Sequence, residues 1–208
     1  MASYGAWASI RKHGLLSSSR LVELFEVHEP RRTELLTTQR TGPVSITHPT
    51  HGTAVLRDQK PLSEKNLKRC LVGCDSAAWY ELLNERVFFW LDRGRLLTLM
   101  SASEYREKQH TVLHVDTARL VSRYGEQIEL AHMNTGNTLP FPHRRGPETF
   151  RKMGLYDYAR RSRLPDYSAV VELTVFGGVE DIKRDVTKVE HAESRRGKYK
   201  VRELVFER

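Results

Sequence analysis

The chain has 208 residues, 39% of them hydrophobic, with 34 Lys+Arg against 26 Asp+Glu and a formal net charge of +8. That length builds one good-sized domain with a real core, or at most two small ones, two cysteines exclude a disulfide scaffold, and no apolar run approaches the roughly 20 residues of a membrane span. The positive excess favours polyanionic partners through counterion release, nucleic acid above all, and the surplus of arginine over lysine leans toward phosphate forks.

In chain order, Gly5–Gly14 reads as a short helix with Ser3 as its cap and Gly14 as its stop. "SSRLVELFEV" is a second helix behind Ser17 or Ser18, and "PRRTELLTTQR" a third. "PVSITHP" and "GTAVLRDQ" alternate like two strands around a turn. "PLSEKNLKRCL" is a helix behind Ser63, and "SAAWYELLNERVFFWL" a helix that becomes an apolar strand at Val87. "GRLLTLMSASEYREKQ", "HTVLHVDT", "TARLVSRYG" and "QIELAHMN" alternate helix and strand. Residues 134–165 form a long irregular stretch rich in Gly, Pro and Arg, of the kind that is functional or disordered. "SAVVELTVFGGVEDI", "VTKVEHA" and "KYKVRELVFE" are strands, the last preceded by the basic tract "ESRRGKYK". Helices dominate the first half and strands the second. The expectation is an α+β fold on mostly antiparallel sheet, one domain over residues 1–208.

No basic-then-apolar leader follows Met1, so a cytoplasmic chain without a signal peptide is expected. Cys70 and Cys74, four apart on one helical face, are then reduced thiols. His48 and His51 share a turn, but without further ligands at metal spacing no metal is expected. There is no Walker loop, no glycine-rich dinucleotide fingerprint and no G-x-S-x-G elbow.

What remains is a scattered polar set. Arg57-Asp58-Gln59 follows a strand. Phe88, Phe89 and Trp90 alternate, so one face of their strand is expected in the core, and Arg93 and Arg95 follow at a helix start. "NTGNT" and "RGPETF" lie in the long stretch. Glu172 stands in mid-strand between Val171 and Leu173, where a carboxylate has no packing value. It is either an edge-strand charge that blocks aggregation or a functional group.

"GAWASIRKHGLLS", "LRDQKPLS", "WYELLNERVFFWLDRGRLL", "NTGNT", "RGPETF" and "VVELTVFGGVEDI" together resemble an uncharacterised bacterial family. That family looks like a distant relative of the DarT-type ADP-ribosyltransferases, which modify bases in DNA. The resemblance runs from Ser3 to Val189. It implies two small sheets forming a cleft for NAD, which is split as the substrate, with no metal. It implies that Glu172 is the catalytic carboxylate, facing the cleft, and that Arg57 stabilises charge in the transition state. Phe89 or Trp90 would stack on nicotinamide, with Ser3, Tyr4, Gly14 and Leu16 lining that side, Gln59 assisting and Arg95 on a phosphate. Such folds begin with a strand whose histidine holds the adenosine ribose. Here Ser3 stands directly before the first helix, and no histidine precedes it.

The resemblance implies an acceptor in nucleic acid, single-stranded DNA first. Its phosphates would meet Arg144, Arg145, Arg151, Arg160, Arg161 and Arg163. A toxin role with an antitoxin partner, and a monomer that meets no membrane, complete the expectation. Two alternatives stand beside it: a nucleic-acid-binding module with a decayed NAD cleft, and an NAD-dependent enzyme that removes a 2'-phosphate from RNA.

Overall fold

The computed structural model describes residues 1–159 and 169–208. Among them the chain runs β1 (Ala2–Ser3), α1 (Trp7–His13), β2 (Leu15–Leu16), α2 (Ser18–Leu24), α3 (Arg31–Thr37), β3 (Val44–His48) and β4 (Gly52–Leu56). Then come α4 (Glu64–Cys70), α5 (Ser76–Asn84), β5 (Arg86–Trp90), α6 (Arg93–Ser101), β6 (His110–Val115), α7 (Thr117–Tyr124) and β7 (Ile128–Ala131). β8 (Arg151–Lys152), β9 (Glu172–Phe176), β10 (Gly178–Val179), β11 (Val186–Arg195) and β12 (Lys198–Glu207) complete it. The result is a mixed helix–sheet fold with small, antiparallel sheets.

The starts of these helices are chemical. Ser17 accepts from the Arg20 N–H at 3.3 Å, Asp75 from Ala78 at 2.9 Å, and Asp92 and Asp116 from Arg95 and Arg119, each at 3.0 Å. Two sequence assignments change. Ser3 is not a helix cap: with Ala2 it forms β1, paired to Thr111 and His110, and α1 starts four residues later behind Ala6. Ser63 stands before α4 without a capping side-chain bond. Its N–H instead donates to Thr138 Oγ1 at 2.7 Å.

Contacts divide the chain into two compact units, each assembled from separated segments. That interleaving leaves no linker in the sequence. The first unit takes Met1–Leu15, Trp90–Gly125 and Val179–Arg208. Its sheet has the order β1-β6-β11-β12, and Met100 of α6 packs with Val112 and Ala192 on one face. Gly14 closes α1 at φ +92°, and a Cβ there would stand 2.7 Å from the Glu180 backbone, so only glycine fits.

The second unit takes Leu16–Phe89 and Glu126–Gly178. Its sheet has the order β5-β9-β7-β8, with Ala131 opposite Glu172 and Ile128 opposite Val175. The hairpin β3–β4 pairs Val44 with Leu56. Val22, Phe25, Leu35, Ile46 and Leu56 form one core cluster. Leu67, Trp79, Tyr80, Leu83 and Phe150 anchor another.

Candidate functional site

Glu172 opens β9, an interior strand between β5 and β7, so it does not guard a sheet edge. The residue is 3% exposed. A carboxylate buried that deeply costs several kcal/mol unless it is bonded. Thr135 provides the bonds: its N–H at 3.2 Å and its hydroxyl at 2.7 Å both donate to Glu172 Oε2.

Thr135 belongs to "NTGNT", where two asparagines fold the backbone on themselves. Asn134 Oδ1 accepts from the Gly136 N–H at 3.1 Å and Asn137 Oδ1 from Leu139 at 2.8 Å. Arg145 then fastens this loop from within. Its Nη1 donates to the Thr135 carbonyl at 2.9 Å, Nη2 to Asn137 at 2.9 Å, and Nε to His143 at 3.1 Å. Arg145 is 2% exposed, and burial lowers its pKa, opposed by Cys70 and by the charge of Glu172. Thr135 and Arg145 therefore set Glu172 in one charge-balanced network.

"RGPETF" is the outer wall of that network. The Val72 N–H donates to the Arg145 carbonyl at 2.8 Å, and the Arg145 N–H to Cys70 at 2.9 Å. A Cβ on Gly146 would fall 2.0 Å from the Val72 carbonyl oxygen. Only glycine lets the two backbones approach this closely. Phe150 stacks on Trp79 at 5.8 Å, and the Arg86 guanidinium lies 4.4 Å from the Phe150 ring centroid.

The strand of aromatics is not half core, as its alternation suggests. Its buried residue is Arg86, whose Nη2 meets Glu129 Oε2 at 2.8 Å. Phe88 is exposed, edge-on to Phe150 at 6.3 Å, and Phe89 and Trp90 are half-buried. Arg57 and Gln59 follow β4 in the same unit as Glu172, as do Leu16 and Phe89. Gln59 Oε1 accepts from the Arg40 N–H at 2.9 Å, while its Nε2 is buried without an acceptor. Ser3, Tyr4, Gly14, Trp90 and Arg95 belong to the first unit. Tyr4 is 58% exposed, with its ring 4.4 Å from that of His191.

Three of the expected phosphate arginines fall among the described residues. Arg144 is exposed. Arg145 is committed to carbonyls, which a phosphate would have to displace. Arg151 pairs with Glu148 at 2.5 Å. Arg160, Arg161 and Arg163 lie outside the described residues. His48 stacks on His51 at 4.6 Å, and among the described residues no three His, Cys, Asp or Glu gather as a metal site. A cavity of about 680 Å³ in the second unit is lined by Glu64, Lys68, Asp75 and Tyr80 with neighbours, and by none of the expected site residues.

A model of a family of unknown function, DUF7002, matches residues 1–186. The chain belongs to this family. No curated protein and no solved structure matches it. The match stops at the first residue of β11, so the hairpin β11–β12 lies almost wholly beyond it.

Sequence reasoning missed two features. Arg40, 7% exposed, reaches Arg57 and Leu35 carbonyls at 3.0 and 2.6 Å and Asn84 Oδ1 at 2.8 Å. Burial brings its pKa down to about 10. Nothing in an arginine-rich sequence marks it out. Glu190 is the other: a 3% exposed carboxylate meeting Lys188, His114 at 2.9 Å and Tyr199 at 2.9 Å. Its mid-strand place in "VTKVEHA" carries the same signal that marks Glu172.

Among the described residues no helix is long and apolar enough to cross a membrane.

Proposed function

We propose that this chain is an NAD-dependent ADP-ribosyltransferase acting on nucleic acid, with Glu172 as the carboxylate of transfer. The observation that carries the reading is the setting of Glu172: a glutamate on an interior strand, fixed through one oxygen by two neutral donors from Thr135. The two Thr135 donors orient the carboxylate, and an oriented carboxylate is what an oxocarbenium-like transition state needs. NAD would supply the ADP-ribosyl group. The carboxylate would accept from a ribose hydroxyl, stabilise the developing positive charge and take the acceptor's proton. The buried Gln59 Nε2, which lacks an acceptor, is a donor that a bound ligand would satisfy. Two four-stranded antiparallel sheets, one in each unit, suit the ADP-ribosyltransferase-like fold that the sequence blocks resemble. On this reading the acceptor is a base in single-stranded DNA, and a toxin role with an antitoxin would follow by analogy alone.

The 3% exposure of Glu172 favours a second reading, in which it only fastens the Asn134–Thr138 loop and the chain binds nucleic acid without chemistry. One experiment separates the two. The chain is incubated with adenylate-labelled NAD and, separately, single-stranded DNA, duplex DNA, RNA and a protein extract, beside Glu172→Gln. Label on a nucleic acid that disappears in the variant supports the transferase. Label on no polymer, with wild-type chain that binds nucleic acid, leaves the second reading.

A further inference from the structure

The basic tract "ESRRGKYK" is the turn of the β11–β12 hairpin, in the first unit. β6 pairs with β11 only as far as Ala192, so residues 193–200 extend beyond that ladder as a two-stranded ribbon. In-register partners share a face, and neighbours along a strand alternate. Ser194 and Tyr199 pair on the face that α6 covers, with Ser194 Oγ 2.7 Å from Ser101 Oγ. The opposite face carries Glu193 opposite Lys200 and Arg195 opposite Lys198. Arg202 reaches Glu193 on that same face.

This face is built against its own folding preference. Arg195 and Lys198 are like charges directly opposite one another, which destabilises a strand pair. Arg196 occupies the first turn position at φ +51°, where Asn, Asp or Gly is favoured. Two carboxylates share the face: Glu203 stands opposite His191, and Glu193 faces Arg202, Arg195 and Lys200, its bond to Arg202 pulling its pKa down. Four cations stand against these two carboxylates. His191 lies two residues before Glu193 on the same face, and the exposed Tyr4 ring lies against it. His191 Nδ1 meets Glu203 at 2.8 Å, while Nε2 is buried without a partner.

We propose that this face is a docking site for single-stranded nucleic acid: Arg195, Lys198 and Lys200 take the phosphates, Arg202 stays on Glu193, and Tyr4 takes a base. A row of cations along an extended ribbon follows a phosphodiester backbone, and an exposed aromatic ring beside it stacks a base only when that base is unpaired. The cations of this surface belong to the hairpin outside the family match, while Tyr4 lies within it. Binding at this face needs no NAD, so it stands or falls apart from the transfer reaction.

The test is fluorescence anisotropy of a labelled oligothymidylate with the full chain, without NAD, over a salt series. Three phosphate contacts on a single strand give a log–log salt slope of about −2. Replacing Arg195, Lys198 and Lys200 together by Ala brings the slope close to zero and weakens low-salt binding at least about tenfold. Tyr4→Ala weakens binding roughly five- to a hundredfold with the slope unchanged, and Tyr4→Phe restores it. Thermal melts of each variant check that the hairpin is folded. Wild-type affinity and slope in the triple variant would overturn the proposal, as would a blunt duplex bound as tightly as the single strand.

Discussion

Glu172 and Glu190 are two glutamates on strands, each 3% exposed and each preceded by a valine in the sequence. Their partners differ. Glu190 meets Lys188, His114 and Tyr199, so its charge is met by cations and a phenol. Burial alone would raise its pKa, yet these three bonds bring it down to about 2. Glu172 meets a threonine through N–H and hydroxyl, and the buried guanidinium near it is occupied by three carbonyls. A carboxylate quenched by cations has little left for a ligand. At Glu172 both Thr135 donors converge on Oε2 and fix the direction of the carboxylate, and the proposed chemistry rests on that orientation.

The largest expected effect breaks the comparison directly. Glu172→Gln keeps shape and bonding capacity and lowers ADP-ribosyl transfer by roughly a hundred- to a thousandfold or more, read as labelled product. Glu190→Gln leaves transfer near wild type. Equal losses in the two variants would mean that both glutamates act through the fold.

Next in size is the support around Glu172. Arg145→Met removes the donors to three carbonyls, that of Thr135 buried, and costs about 3 kcal/mol or more, measured by denaturant melts. Gly146→Ala forces a methyl onto the Val72 carbonyl and costs about 1–3 kcal/mol. If Arg145→Met were neutral, the loop that holds Glu172 would owe its shape to its asparagine turns alone.

Acid should separate the two carboxylates further. Glu190 has a folded pKa of about 2, below its ordinary 4.5. A depressed carboxylate stabilises the fold above its unfolded pKa, and the contribution is lost as pH falls through the folded value. Acid unfolding between about pH 4.5 and 2 should therefore be shallower in Glu190→Gln than in the wild type, followed by circular dichroism.

The element order was legible because its signals are local. Ser17 caps where a serine stands before an apolar stripe, and the β3–β4 hairpin follows its alternation. The mid-strand glutamate pointed to Glu172, and the same sign on Glu190 passed unread. What stayed hidden depends on distant partners. Arg40 meets Asn84 and Arg145 meets Thr135, so both arginines are internal stitches that composition counts as surface charge. Arg86 is buried in a strand of aromatics because Glu129, 43 residues later, receives it. The hairpin cations form a face only once β11 and β12 pair.

The smallest expected effect compares the two basic regions themselves. Arg151 stands exposed on β8 and pairs with the exposed Glu148 three residues earlier. Such a pair contributes about 0–1 kcal/mol, so Arg151→Ala shifts the melting free energy by no more than that. Its effect on nucleic-acid binding is the sharper reading. If Arg151 takes a phosphate, its loss lowers the salt slope by about 0.7, the value of one contact on a single strand. With Glu148 already on it and the hairpin supplying the phosphate row, the slope should stay at the wild-type value. A drop of one full contact in Arg151→Ala would return the irregular stretch to the binding surface beside the hairpin.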